Sequence, residues 1–146
     1  MPALALTHDL HDEYGWAEQA AAVARAHRSL PAAERQSAIV VTGNYGEASA
    51  IRFFGKRHSL PPAVTGHMTY YLWGPTADHG KLIAYGMSDV QLEQLCETRA
   101  ERARTRHPLS VPKENDLPIY VCTPRAPLRE LWPRLKRFSH GPASGE

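Results

Sequence analysis

The stretch that most constrains this chain runs from Ala38 to Pro75 and reads AIVVTGNYGEASAIRFFGKRHSLPPAVTGHMTYYLWGP. A short apolar, β-branched run, Ala38 to Val41, predicts a buried strand, and Thr42-Gly43-Asn44-Tyr45-Gly46 is rich in turn formers. From Glu47 the apolar residues recur with helical spacing, so strand, tight loop and helix follow one another. A second strand is expected at Ala63 to Thr65, after the breaker Leu60-Pro61-Pro62. It runs into Gly66-His67 and the aromatic residues Tyr70, Tyr71 and Trp73. If the two strands are parallel, both turns lie at the carboxyl edge of an open sheet, where such sheets place their ligands.

The remaining pattern alternates in the same way. Trp16, Ala20, Val23, His27 and Leu30 form one face of an amphipathic helix that starts near Asp12, with Trp16 as an expected core anchor. The alanine-rich run Ala20 to Ala26 lets that helix approach a sheet closely. Leu82 to Tyr85 reads as a third strand closed by Gly86. Ser88 and Gln91 have capping-box spacing ahead of a helix expected from about Asp89 to Arg104. Pro118 to Cys122 reads as a fourth strand. Pro127 to Lys136 is a last helix that Pro133 kinks or shortens.

Strands alternating with helices predict an α/β three-layer sandwich. The expected sheet is small and mostly parallel, with about four strands in the order 2-1-3-4, Rossmann-like or flavodoxin-like. Residues 1–9 read as a flexible arm, 10–137 as a single domain and 138–146 as a disordered tail. A chain of 146 residues with 42% hydrophobic and 22% charged content has the make-up of one globular domain. Its apolar runs are far shorter than the roughly 20 residues of a membrane helix.

The formal net charge of +2 is too small to argue for nucleic acid, and none is expected as a partner. The basic clusters at 99–106 and 125–137 read as solvated helix faces or, alternatively, as sites for phosphate or anionic lipid headgroups. Cys96 and Cys122 form no CxxC pair and are expected as two buried thiols, since a disulfide between them requires an oxidising compartment. Without a signal peptide or membrane segment, the chain as written is expected in the cytoplasm.

Chemistry is best sought in the two strand-end turns. Residues 43–47 sit where a phosphate loop sits in mononucleotide folds, but there is no GxGxxG and no Walker lysine, and Glu47 repels phosphate. Glu47 has two readings: a carboxylate favoured by the dipole of a first helical turn, or a ligand contact for a sugar hydroxyl or an amine. His67 reads as a structural histidine or as a binding or catalytic one. Tyr70, Tyr71 and Trp73 read as a hydrophobic plug or as a stacking platform for a pyranose. The candidate ligand-binding set is Asn44, Tyr45, Gly46, Glu47, His67, Tyr70 and Trp73, and the candidate acid/base pair is Glu47 with His67. No cofactor is expected. His8, Asp9, His11, Asp12 and Glu13 are metal-capable but lack a ligand spacing such as HExxH, so no metal site is assigned. There is no GxSxG elbow.

The segments GWAEQAAAVARAHRSLPAAER, NYGEASAIRFFG, SLPPAVTGHMTYYLWGP, LIAYG and LPIYVCTPRAPLRELWPRLK together resemble the C-terminal extramembrane domain of bacterial family 39 glycosyltransferases. These belong to the dolichyl-phosphate-mannose protein mannosyltransferase and aminoarabinose-transferase-like superfamily. The resemblance spans roughly residues 10 to 137. It implies a non-catalytic accessory domain that binds a sugar or lipid-linked sugar phosphate at the strand edge. Its partner would be the membrane portion of a parent mannosyltransferase-like enzyme, where that family holds its catalytic aspartate. The location implied is the extracytoplasmic face of a membrane. Met68 stands where the family often carries asparagine, so that position receives no polar role. Two further readings are a small free-standing hydrolase or transferase using Glu47 and His67, and a purely structural or oligomerisation module that packs on membrane loops or on a second copy, a reading that an exposed patch of Phe53, Leu72 and Trp132 would favour.

Overall fold

A computed structural model describes residues 2–43, 45–66, 79–105 and 117–135, with residues 2–14, 45 and 46 described as backbone alone. The chain begins with helix α1 (Pro2–Arg28) and the short α2 (Ala32–Ser37), then enters strand β1 (Ile39–Thr42). Helix α3 (Tyr45–Phe54) continues into a 3-10 turn (Gly55–His58) and leads to β2 (Val64–Thr65). Strand β3 (Leu82–Tyr85) precedes α4 (Asp89–Leu95), β4 (Cys96–Arg104) and β5 (Pro118–Pro124). Helix α5 (Leu128–Leu131) then tightens into a 3-10 turn (Trp132–Leu135), the shortening that Pro133 dictates.

The fold is mixed α/β. Its single sheet has five strands in the order β2-β1-β3-β5-β4. β1 pairs with β2 and β3 in parallel, whereas β5 runs antiparallel to both β3 and β4. This corrects the expected mostly parallel four-stranded sheet. The relative order of the four anticipated strands is as expected, and β4 is the added fifth, at the edge.

Residues 96–104 account for the difference. Local helix propensity in CETRAERAR is high, and the spacing predicted one helix through to Arg104. Instead α4 stops at Leu95. Arg125, just after β5, donates from its backbone N–H to Leu95 O at 3.0 Å and from Nε to Glu93 O at 2.6 Å, so the last carbonyls of α4 are taken by a distant residue. The chain then pairs along β5 from Cys96 opposite Pro124 to Arg104 opposite Pro118. The hairpin is closed by Thr105, whose N–H donates to Leu117 O at 3.0 Å and whose Oγ1 accepts from Leu117 N–H at 2.9 Å. Charge along this edge strand blunts it against pairing with another chain.

The sheet buries both faces, and alternation along β1 shows how. Val40 joins Ile83, Tyr85, Ile119 and Val121 beneath α1 and α3, while Ile39 and Val41 join Leu82, Ala84 and Cys122 beneath α4 and α5. On α1 the buried hydrophobic residues are Ala20, Ala22, Val23, Ala24 and Ala26, so small side chains bring that helix close to the sheet. Trp16 is 41% exposed and is not the core anchor that its spacing predicted. It lies upstream of the alanine-rich segment that meets the sheet. The helix also begins at Pro2, extending across the segment expected as an arm.

Cys96 and Cys122 form a disulfide between adjacent strands, with their Cα atoms 5.6 Å apart. Two thiols were expected. The sequence placed Cys96 on a helix and Cys122 on a strand, and only the β4–β5 hairpin makes them neighbours.

Candidate functional site

The three parallel strands end level with one another. Thr42 is in register with Thr65 on one side and with Tyr85 on the other, and each of the three is followed by a glycine: Gly43, Gly66 and Gly86. Thr42, Thr65 and Tyr85 are all buried. The glycine row is a packing requirement. Gly43 donates its N–H to Tyr85 O at 3.1 Å, and a Cβ on Gly43 would overlap the Gly86 carbonyl. A Cβ on Gly66 would overlap the Leu135 carbonyl.

Glu47 is brought to this edge by the first turn of α3. Its carboxylate lies against Gly86, whose φ of +72° turns the chain away from β3. The carboxylate sits in the first turn of α3, where the helix dipole favours it, and lies at the sheet edge. It lines a cleft of about 340 Å³ with Gly86, Met87, Ser88, Leu117, Pro118 and Tyr120. That volume falls at the small end of the roughly 300–1,000 Å³ common for ligand sites.

The rim is ordered by local bonds. Ser88 closes the anticipated capping box on α4: its Oγ accepts from Gln91 N–H at 3.2 Å, and its own N–H donates to Gln91 Oε1 at 3.0 Å. Across the cleft, Tyr120 carries the Arg99 guanidinium 5.1 Å from its ring centroid. The largely apolar hollow is lined by one carboxylate, one serine hydroxyl already engaged by Gln91, and one aromatic ring. A small polyhydroxylated or amine-bearing group suits it.

Of the sequence-predicted residues, Glu47 is the one whose side chain is described. Asn44, His67, Tyr70, Tyr71, Leu72 and Trp73, like the side chain of Tyr45, lie outside the described residues, and so does the separation of Glu47 from His67; Gly46 is described as backbone of α3. Asn44 and His67 directly follow Gly43 and Gly66 in sequence, and those two glycines follow β1 and β2 at the same edge of the sheet. Gly86, Ser88 and Tyr120 were not anticipated in a site. The thrice-repeated pattern of a strand ending in Thr or Tyr followed by Gly is the signal that marks Gly86.

The docking patch of Phe53, Leu72 and Trp132 does not form, because Trp132 is buried beneath the opposite face of the sheet. Among the described residues there is no cluster of three metal-capable groups. The side chains from His8 to Glu13 are not among them. No helix of the described residues is long and apolar enough to cross a membrane. No protein-family model, curated protein or solved structure matches the chain.

Proposed function

We propose that the chain is a non-catalytic accessory domain that binds the sugar or sugar-phosphate headgroup of a lipid-linked donor, or the acceptor, for a family 39-like glycosyltransferase. The observation that carries this reading is the level ending of β1, β2 and β3 at glycines, with Glu47 turned into the cleft at that edge. Carboxyl edges of parallel strands are where α/β sheets hold ligands. β1, β2 and β3 are the parallel part of the sheet, and α3 connects β1 to β2.

In this reading Glu47 accepts hydrogen bonds from sugar hydroxyls, Asn44 and His67 add further polar contacts, and Tyr70 and Trp73 stack on the ring. The membrane portion of the parent enzyme is the partner and supplies the catalysis. The Cys96–Cys122 disulfide supports an extracytoplasmic setting, since buried disulfides persist where the compartment is oxidising.

Amide NMR titration of the chain with free hexoses, hexose phosphates and a short polyprenyl phosphate tests the proposal. The expected result is shifts confined to Gly43, Glu47, Gly66 and Gly86–Ser88 with one ligand class, abolished by Glu47→Ala. Absence of shifts with every class at millimolar ligand overturns it.

A further inference from the structure

We infer a second surface, at the carboxyl end of α3, that docks on an anionic phospholipid bilayer. Phe53 is 72% exposed there. Its ring meets that of Phe54 edge to face, with centroids 4.9 Å apart, so the partly buried neighbour steadies an aromatic side chain that remains in solvent. Beside it runs a groove of about 390 Å³ between the outer side of α3 and Leu60-Pro61-Pro62.

The charges that neighbour Phe53 along the chain have one sign. Lys56 and Arg57 are exposed on the 3-10 turn that follows Phe54, and among the described residues neither has an ion-pair partner. Arg52 adds a third cation, positioned by donation from Nε to Ala63 O at 2.9 Å. From Ala48 to Ala77 the sequence contains no Asp or Glu, and the nearest carboxylate on the helix, Glu47, is turned toward Gly86 at the other end of α3. Cations near a helix C-terminus also complement its dipole, which accounts for Lys56 and Arg57 but not for an exposed phenyl ring at the same place.

An aromatic ring with adjacent basic residues is suited to the headgroup boundary of a membrane, the ring entering the apolar side and the cations meeting lipid phosphates. A second copy of this chain fits poorly, because a two-fold contact through Phe53 would bring the same cations face to face. The inference is independent of the ligand proposed for the Glu47 cleft.

Vesicle co-sedimentation of the full 146-residue chain provides the test, using phosphatidylcholine alone and phosphatidylcholine mixed equally with phosphatidylglycerol. The chain is expected to sediment with the anionic vesicles only, and to be released by high salt because surface charges are screened. Each cation removed should weaken binding by about fivefold, and Phe53→Ala by about tenfold. Lys56→Glu with Arg57→Glu should abolish binding, while the same charge reversal at exposed Arg102 and Arg134 should preserve it. Circular dichroism establishes that each variant is folded. No binding to anionic vesicles, or equal binding by the Phe53 and Lys56/Arg57 variants, overturns the inference, as does retention on an oligonucleotide or an acidic polypeptide without vesicle binding.

Discussion

Glu47 rests its carboxylate on the backbone of Gly86, so the first turn of α3 is fitted against the residue that turns the chain out of β3. The contact couples the two strand ends that form the candidate site. Replacing Gly86 by Ala places a side chain in the left-handed region, at about 1 kcal/mol, and obliges the Glu47 carboxylate, the far end of a flexible side chain, to move aside, at less than about 1 kcal/mol more. In a Glu47→Ala background only the first cost should remain. Urea unfolding of both single variants and the double variant measures the coupling, and strict additivity would show that the contact is absent.

Gly43 faces a harder constraint, because the atom its Cβ would meet is a backbone carbonyl, that of Gly86, rather than a movable side chain. Gly43→Ala should therefore destabilise by about 1–3 kcal/mol, and no change at Glu47 should relieve it. A thermal melt showing Gly43→Ala as stable as the parent would contradict the close approach of β1 and β3 at this edge.

The disulfide closes a span of 26 residues in sequence between Cys96 and Cys122. Chain-entropy reasoning assigns such a loop about 3–4 kcal/mol of stability. Intact mass of the purified chain should be lower by two hydrogens than the reduced form. Adding dithiothreitol should move the urea midpoint down, and a Cys96→Ser/Cys122→Ser variant should sit at the reduced midpoint and ignore the reductant.

Ala100 separates the two readings of residues 96–104 by the sign of one substitution. It is exposed on β4, opposite Val121. In a strand, Ala100→Thr should stabilise by up to about 1 kcal/mol, since a β-branched side chain packs against its cross-strand neighbour. In a helix the same change should destabilise by about half a kcal/mol. Equilibrium unfolding of the variant decides the sign.

What the sequence determined by itself was local. The β-branched run of β1, the capping box of Ser88 with Gln91, the glycines that close α3 and β3, and the proline that shortens α5 each act through neighbours within one turn, so residue type alone settles them. Glu47 was legible for the same reason, as a carboxylate in a first helical turn after a strand.

Tertiary structure decided the features whose partners lie far along the chain. Residues 96–104 form a strand because β5 offers an antiparallel edge and Arg125 takes the carbonyls of α4, two interactions that outweigh the helix propensity of an Arg- and Glu-rich segment. That rearrangement also decided the disulfide. Trp16 lies exposed because only the alanine-rich part of its helical face meets the sheet. The cleft itself was equally out of local reach: Gly86 and Ser88 reach Glu47 only when β1 and β3 pair in parallel, and Tyr120 only when β3 and β5 pair antiparallel, contacts between segments more than 30 residues apart.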